Sequence, residues 1–334
     1  MKYLVVGAGF AGATVARMLA DRGHDIIVID QRNHIGGNAY DYLNEHGIRI
    51  HKYGPHLFHT SNKKVYDWLS KFTRWTPFEH HILALLSDGS YVPWPANLNT
   101  LDRVPESKYI ETFIKPYSTK MWGEYFDQLD PEVLNRVKIN RDREDRCFRD
   151  DYQVIPTHGY EAMFATIFDS PRIQVQLETP FDKIMEAEFD HVFNSMAIDD
   201  YYDQCYGPLP YRSIKFHHYS LPIPKVQPSP TVNFTNNSPY TRSTEWKNIA
   251  EHGINPYWTS ITVEEPCDPY EVNNEKYYPV LTQANKELHK KYQSIVNDRV
   301  TFIGRCGNYV YLDMHQAISS AMATVEYFIK ASLV

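Results

Sequence analysis

The first thirty residues, MKYLVVGAGFAGATVARMLADRGHDIIVID (1–30), decide the fold. An apolar run over residues 2–6 predicts a buried strand, and Gly7, Gly9 and Gly12 follow it in a GxGxxG pattern. A helix and a second strand, residues 25–30, are predicted next. The apolar face of that helix comprises Val15, Ala16, Leu19 and Ala20. This order of elements predicts a Rossmann-type α/β domain.

The glycine turn indicates a site for a dinucleotide. Glycine permits the tight turn and a close approach of backbone to a pyrophosphate, while Gly12 lets helix and strand pack closely. The free N–H groups at the helix start attract the phosphates. Asp30, 23 residues after Gly7, is placed to accept hydrogen bonds from a ribose hydroxyl. The alternative is a glycine turn that binds nothing.

Further motifs extend this domain. QRNHIGGNAY (31–40) places a second tight turn, Gly36-Gly37, directly after Asp30, which favours FAD over NAD. Near the end of the chain, residues 300–303 predict a strand, Gly304 a turn and Met314 the start of a helix. The apolar face of that helix comprises Ala317, Ile318, Ala321, Met322, Val325 and Phe328.

The middle of the chain has different patterns. Residues 57–152 are mostly helical and charged, apart from a hairpin over 82–92 that turns at Asp88-Gly89. Residues 98–138 predict an inserted helical lobe. A second, antiparallel sheet is predicted to begin after a proline-rich entry and to run to about residue 280. The entry prolines are Pro222, Pro224, Pro228 and Pro230.

Composition excludes several classes of protein. A net charge of -7 argues against binding to nucleic acid or an anionic membrane. Four cysteines without a CxxC pair indicate neither a zinc site nor a disulfide framework, and we expect no metal and a cytoplasmic location. No apolar run reaches the roughly 20 residues that span a bilayer. The 25 tyrosines fit either a site that grips rings or a tyrosine-rich sheet.

Seven ordered motifs resemble the bacterial type of UDP-galactopyranose mutase. They are Gly7–Gly12, RNHIGGN (32–38), YGPHLFHT (53–60), PYSTKMWG (116–123), PYTR (239–242), KYYPV (276–280) and YLDMHQAISSA (311–321). The resemblance implies a discontinuous FAD domain (1–78, 158–200 and 296–334), a helical lobe with a mobile loop (98–138) and a six-stranded antiparallel substrate sheet (79–97, 139–157 and 201–295).

The resemblance also implies a reaction. In the reaction that the resemblance implies, a reduced flavin attacks the anomeric carbon of a nucleotide sugar, displaces the nucleoside diphosphate and forms a flavin–sugar adduct. The sugar ring then opens through an iminium species and recloses on a different hydroxyl, with no net redox change. NAD(P)H is one candidate external reductant. We expect a nucleotide-sugar partner, most simply a UDP-sugar, and leave a homodimer open.

The roles of individual residues follow from the matched motifs. The catalytic candidates are Arg136, Arg242 and His59. The substrate-binding candidates are Tyr117, Trp122, Arg136, Asn233, Arg242, Tyr278 and Tyr311. The cofactor-binding candidates are Gly7, Gly9, Phe10, Ala11, Gly12, Asp30, Gln31, Arg32, Gly37, Asn38, His56, Arg305, Leu312, Asp313 and Met314. Considered singly, the arginines fit solvated surface groups, the aromatics fit core positions, and the histidines fit structural ones.

The chain departs from the family pattern at three places. Between Trp94 and Tyr117 it is roughly 35 residues shorter by our alignment. Cys147, beside Arg146, stands where the family usually has tyrosine, and His80 where asparagine is common. We therefore hypothesise a relative of UDP-galactopyranose as substrate, such as the activated form of a deoxyhexose or a pentose, or a diphosphosugar of another base. A conventional FAD-dependent oxidoreductase and a catalytically idle FAD-binding module remain alternatives.

Overall fold

The computed structural model describes residues 1–129, 138–272 and 275–331. Its helices are α1 (Phe10–Ala20), α2 (Lys63–Leu69), α3 (Leu98–Leu101), α4 (Lys115–Trp122), α5 (Gly159–Phe168), α6 (Ile198–Tyr201), α7 (Pro269–Val272), α8 (Gln283–Gln293), α9 (Gly304–Gly307) and α10 (Met314–Ala331). Its strands up to residue 156 are β1 (Lys2–Val6), β2 (Asp25–Ile29), β3 (Asp41–Leu43), β4 (Arg49–His51), β5 (Phe58–Thr60), β6 (Trp75–Pro77), β7 (Ile82–Leu85), β8 (Tyr91–Trp94) and β9 (Tyr152–Pro156). The remaining strands are β10 (Ile173–Gln176), β11 (His191–Asn194), β12 (Tyr211–Leu221), β13 (Thr231–Phe234), β14 (Arg242–Glu245), β15 (Thr259–Cys267), β16 (Tyr278–Pro279) and β17 (Val300–Phe302).

A parallel five-stranded sheet forms the first layer, in the order β10-β2-β1-β11-β17. The predicted strand, helix and strand over residues 2–30 are confirmed, as are the strand near residue 300 and the helix that begins at Met314. Helices α1, α5 and α10 bury their apolar faces in one cluster with the sheet. The Rossmann-type α/β fold class is therefore correct.

A seven-stranded sheet forms the second part, in the order β16-β12-β15-β14-β13-β7-β8. The antiparallel prediction holds for every pair but one: β13 runs parallel to β7. Parallel neighbours need a long connection, and here the chain passes through the helical lobe and the parallel sheet between them. The expected count of six strands is corrected to seven, and the later strands of the sheet begin at Tyr211, before the proline-rich entry.

The helical lobe is short and packs on the edge hairpin of the seven-stranded sheet. That hairpin, β7 and β8, turns at Gly89 as predicted. Behind it Val104, Tyr109 and Phe113 pack against Ala84 and Val92. A π-helical turn, Ile110–Ile114, leads directly into α4. The lobe therefore fixes the start of α4 against the sheet.

Two smaller sheets complete the described part. Strands β3 and β4 form one hairpin, and β5, β9 and β6 form a three-stranded antiparallel sheet. Within the described ranges, no helix is long and apolar enough to cross a membrane. The limits of the predicted domains stay a prediction.

We expect Gly12→Ala to destabilise the fold. A Cβ at residue 12 would lie 1.9 Å from the Gly7 carbonyl oxygen and 3.1 Å from Val5 Cγ1, so α1 would have to move away from β1. The free energy of unfolding should fall by about 3 kcal/mol, the upper range for overpacking. Thermal unfolding measures this.

Gly9→Ala is the matched control. Its Cβ would have Gly37 Cα as its nearest neighbour at 3.5 Å, an ordinary contact. We expect a loss below about 1 kcal/mol at this helix N-terminus. Equal losses in the two variants would contradict the packing argument.

Candidate functional site

A cavity of about 830 Å³ opens where β1, β2 and β11 end. The carboxyl edge of a parallel sheet is where such folds bind ligands, and the volume suits a large cofactor. All fifteen predicted cofactor-binding residues line this one cavity. Their individual roles stay predictions.

The two glycine turns interlock at the cavity floor. Gly36 and Gly37 adopt positive φ angles, +91° and +55°, and the Gly36 N–H donates to the Ala8 carbonyl at 2.9 Å. A Cβ at Gly37 would lie 2.8 Å from Gly9 Cα. A side chain at Gly9 or Gly37 would occupy the space between the two turns. The bare backbone at these positions is therefore suited to contact a pyrophosphate.

Asp30 is held in place by the turns on both sides of it. Its two carboxylate oxygens accept hydrogen bonds from the Ala8 N–H at 2.8 Å and the Arg32 N–H at 2.9 Å. A carboxylate has about four acceptor positions, so it can still accept from ribose hydroxyls. The arrangement fits an adenosine ribose.

Charged groups that the sequence motifs did not indicate also line the cavity. Glu275 pairs with Arg32, which also donates to Asn38 Oδ1 at 2.8 Å. Lys276 donates to Asp200 at 2.6 Å. Further unassigned lining residues follow β10 and β11: Thr179, Pro180, Phe181, Ser195, Met196 and Ala197. Sequence reasoning had not located those two strands individually, although HVFN (191–194) is an apolar run before Ser195.

A row of polar side chains crosses the seven-stranded sheet beside this cavity. Asn233 on β13 lies opposite Arg242 on β14, and Arg242 lies opposite Glu264 on β15. Directly opposed residues share one face of a sheet. Arg242 Nε lies 3.1 Å from Glu264 Oε2, and its Nη2 donates to the Tyr117 hydroxyl at 2.7 Å. No sequence motif had indicated Glu264.

Glu264 is buried and Arg242 is partly buried, so this ion pair lies largely out of solvent. Burial raises the pKa of Glu264, against the pull of Arg242, because it penalises the charged carboxylate. Burial also acts to lower the pKa of Arg242, but attraction to Glu264 and to the hydroxyls of Tyr117, Tyr278 and Tyr311 raises it overall. An arginine does not lose its proton in proteins, so we treat the pair as ionised.

Arg305 joins the cavity to the tyrosines. It lines the cavity, and its guanidinium lies 5.0 Å from the ring centre of Tyr278 and 4.9 Å from that of Tyr311. The two rings are nearly parallel, 6.1 Å apart. Cation–π attraction therefore holds both predicted substrate tyrosines against a cavity residue.

His56 lies between the cavity and Arg242. It lines the cavity, and its pKa is lowered to about 4 by burial, with Arg305, Arg242 and Arg32 adding to the effect. Its Nδ1 lies 2.8 Å from the Gly54 carbonyl, which fixes the ring. The imidazole is neutral at pH 7 and cannot itself carry the charge of an acid catalyst.

His59 lies in a separate cluster of rings and does not line the cavity. Its Nδ1 lies 2.8 Å from Asp150 Oδ2, and its ring stacks on Phe148 at 3.6 Å. His315, in the first turn of α10, lies 5.6 Å away in an edge contact. Asp150 thus orients the ring, and a role for His59 in catalysis stays a prediction.

The remaining predicted residues lie in different surroundings. Trp122 is buried in a cluster with Tyr53, Met121 and Tyr277, so packing is its observed contact here. Cys147 donates its N–H to the His80 carbonyl at 2.7 Å, and Arg242 influences the pKa of both side chains. Arg136 lies outside the described residues.

Together these features define a protein with a large cavity at the carboxyl edge of a Rossmann-type domain and an Arg242–Glu264 ion pair on the neighbouring sheet. A family model described as "UDP-galactopyranose mutase" matches residues 112–311, and one described as "NAD(P)-binding Rossmann-like domain" matches residues 5–72. The first match covers more than half of the chain. The chain therefore belongs to the UDP-galactopyranose mutase family of flavin-dependent isomerases.

Relatives are similar over nearly the whole chain. The dTDP-fucopyranose mutase of Escherichia coli is 30% identical over 98% of this chain and 98% of its own, and the UDP-galactopyranose mutase of Mycoplasma pneumoniae is 27% identical over 98% and 96%. A solved structure of reduced UDP-galactopyranose mutase has a TM-score of 0.72 at 15% identity, covering 99% of this chain and 96% of its own. The E. coli alignment spans 377 positions against 334 residues here, so the relative carries segments that this chain lacks.

We expect Glu264→Gln to destabilise the protein by about 3 kcal/mol, because it leaves Arg242 without its buried counter-charge. Glu265→Gln is the control, since Glu265 pairs with His217 and Lys215 in a more exposed position and should cost less than about 1 kcal/mol. Denaturant unfolding of both variants measures the difference. Similar small losses would show that the Arg242–Glu264 pair is not a stabilising contact.

Proposed function

We propose that the protein interconverts the pyranose and furanose forms of a nucleotide-activated hexose, with FAD in its reduced form and no net redox change. The observation that carries the proposal is the position of Arg242. Its guanidinium is held by Glu264 and Tyr117, beside tyrosines that Arg305 of the cavity orders. A fixed cation next to a flavin cavity suits a leaving diphosphate.

The cavity would hold the FAD along its length. The interlocked turns around Gly9 and Gly37 would contact the pyrophosphate, Asp30 the adenosine ribose, and residues 312–314 the flavin. The start of α10, with its positive dipole end, would favour an anionic reduced flavin. When bound and reduced, the flavin supplies an electron-rich nitrogen as nucleophile towards the anomeric carbon.

The protein's own residues would bind and orient the substrate. Arg242 would stabilise the charge that develops on the departing diphosphate more than that of the ground state, with Arg136 as its proposed second arginine. Asn233 has a buried Oδ1 without a hydrogen-bond partner in the described part of the chain, and a substrate hydroxyl would satisfy it. Tyr278 and Tyr311 would contact the sugar or diphosphate, and Tyr117 and Trp122 the base.

Two residues close to Arg242, Cys147 and His80, would favour a less polar sugar than galactose. Burial raises the pKa of the Cys147 thiol to about 12, so it is a neutral and weak hydrogen-bonding group. His80 is neutral too, since burial lowers its pKa to about 3. One relative acts, by its name, on dTDP-fucopyranose. A deoxyhexose on UDP or dTDP is the substrate class we favour.

We further propose that the enzyme is cytoplasmic, that NAD(P)H serves as external reductant, and that Asp150 orients His59 for proton transfer during ring opening. An oriented histidine with a carboxylate partner suits that task. The state of assembly, with a homodimer as one outcome, follows from sedimentation of the purified protein. These points extend the main proposal and do not carry it.

The decisive experiment incubates dithionite-reduced protein with UDP-galactopyranose, dTDP-fucopyranose and related nucleotide sugars, and separates furanose from pyranose by chromatography. We expect furanose only from the reduced enzyme, with a preference for the deoxyhexose. A product that differs from its substrate by two electrons would instead indicate an oxidoreductase. A reduced enzyme without turnover would indicate an idle flavin-binding protein.

Substitution of Arg242 should test its role directly. Arg242→Lys keeps a positive charge beside Glu264 but loses the planar fork, and we expect kcat to fall by about 100-fold. Arg149→Ala is the control, because Arg149 forms an exposed pair with Asp142. The flavin absorbance of each variant reports whether the fold and cofactor are retained. Unchanged turnover in Arg242→Lys would exclude a specific diphosphate contact.

A further inference from the structure

The hairpin between β13 and β14 places Arg242. Residues 235–241 connect the two strands, and the Phe234 N–H donates to the Thr241 carbonyl at 2.9 Å, which closes the loop at its base. Arg242 follows directly. The loop sequence, TNNSPYT, contains no charged side chain. Contacts from neighbouring strands hold this loop, since the Thr241 N–H donates to the Glu264 carbonyl at 2.9 Å and the Thr235 hydroxyl donates to the Leu85 carbonyl at 2.7 Å.

Lys120, in the helix α4, provides a further contact. Its Nζ donates to the Phe234 carbonyl and to the Tyr240 carbonyl, both at 2.9 Å. One carbonyl lies at each end of the loop, so a single ammonium bridges its two arms. Among the described side chains, no carboxylate lies within ion-pair distance of Lys120.

The helix α4 contacts the hairpin a second time, through Tyr117. Tyr117 lies one turn before Lys120, and its hydroxyl accepts from Arg242 at 2.7 Å. Residues three apart share a helix face. Arg212 anchors the end of the same helix, since its Nε donates to the Met121 carbonyl at 2.8 Å. Arg212 therefore fixes the end of α4 to the sheet, and Tyr117 and Lys120 of the same helix both contact the β13–β14 hairpin.

We propose that Lys120 is a positioning residue for Arg242: its ammonium closes the β13–β14 loop against α4 and so sets the contact between Tyr117 and Arg242. The inference rests on the proposed role of Arg242 in diphosphate binding. It names a group that acts through Arg242, without itself contacting substrate.

The energetics support a functional use of this contact. Burial lowers the pKa of Lys120 to about 8, so the charged form is less favourable here than in water. Between pH 8 and the ordinary Lys pKa, the unfolded chain binds more protons than the folded one. The contribution of Lys120 to the free energy of unfolding therefore rises with pH in that window. The bridge to the carbonyls weakens over the same window, because the ammonium loses its charge.

Other groups near Lys120 must be separated from it in any pH experiment. Tyr117 lies on its own helix, and Arg242 and Glu264 lie on β14 and β15. Arg212 of β12 donates to the Lys120 carbonyl at 3.4 Å. Behind Tyr240 lies the His217 ring, paired with Glu265. All of these remain in a Lys120 variant, so the difference from wild type isolates Lys120.

The chain offers a matched control in Lys247. Its Nζ also donates only to carbonyls in the described residues, those of Pro224, Asn255 and Trp258, and it contacts none of the proposed substrate residues. Lys120→Met and Lys247→Met therefore remove the same kind of bridge, one beside Arg242 and one away from it. Lys120→Arg restores a permanent charge.

The test measures binding of UDP and dTDP to the flavin-loaded enzyme by titration calorimetry from pH 7 to about 8.8, where the terminal phosphate of each nucleotide is mostly ionised and the N3–H of each base largely keeps its proton. We expect the affinity of the wild-type enzyme for both nucleotides to fall as pH rises through 8. Lys120→Met should bind them about tenfold more weakly at pH 7 and show no further fall near pH 8. Lys247→Met should bind as the wild type does at each pH. Lys120→Arg should bind without the fall. Unfolding measurements should show the opposite trend, with wild type gaining stability relative to Lys120→Met above pH 8.

The proposal is overturned if Lys120→Met binds both nucleotides as tightly as wild type, or if it retains the same loss of affinity near pH 8. Should wild type bind neither nucleotide, the proposed function fails on its own. Hydrogen exchange of the amides in residues 235–241 then decides the inference. Faster exchange in Lys120→Met than in Lys247→Met supports the bridge, and equal exchange removes it.

Discussion

The site depends on one buried ion pair between neighbouring strands. A counter-charge stabilises a guanidinium that is largely removed from water, and Glu264 on β15 supplies it to Arg242 on β14. The pair aligns the guanidinium along the sheet, and Tyr117 holds one of its Nη atoms. Four of the residues proposed for substrate lie around this cation: Tyr117, Asn233, Tyr278 and Tyr311. Preorganised charge of this kind costs no rearrangement when the substrate reacts.

The Rossmann part could be predicted well because its signals are local. The first strand, glycine turn, helix and second strand occupy adjacent residues, and each glycine has a steric reason that the structure bears out at Gly12. All fifteen predicted cofactor residues line one cavity for the same reason, since they lie in a few short motifs. Residues after β10 and β11 were missed, because short strands carry little pattern of their own.

The substrate side was harder because its contacts join distant strands. Glu264 and Glu265 are adjacent in sequence, and only the pairing of β15 with β14 decides which of them faces Arg242. A shift of one residue would exchange them, and no local pattern reports the register. The parallel alignment of β13 with β7 is similar, since it joins segments separated by the helical lobe. The aromatic side chains occur both in ring clusters of the core and around Arg305.

The position of Arg305 has a consequence for the order of events in the protein. Arg305 lines the dinucleotide cavity and also contacts the stacked rings of Tyr278 and Tyr311. Because Arg305 contacts both, filling of the cavity and binding beside the two tyrosines can be coupled. A bound cofactor would steady Arg305 and the two rings, so the apoprotein should present a looser surface to nucleotides than the loaded protein does. Such linkage would be reciprocal, and nucleotide would in turn slow the escape of the cofactor.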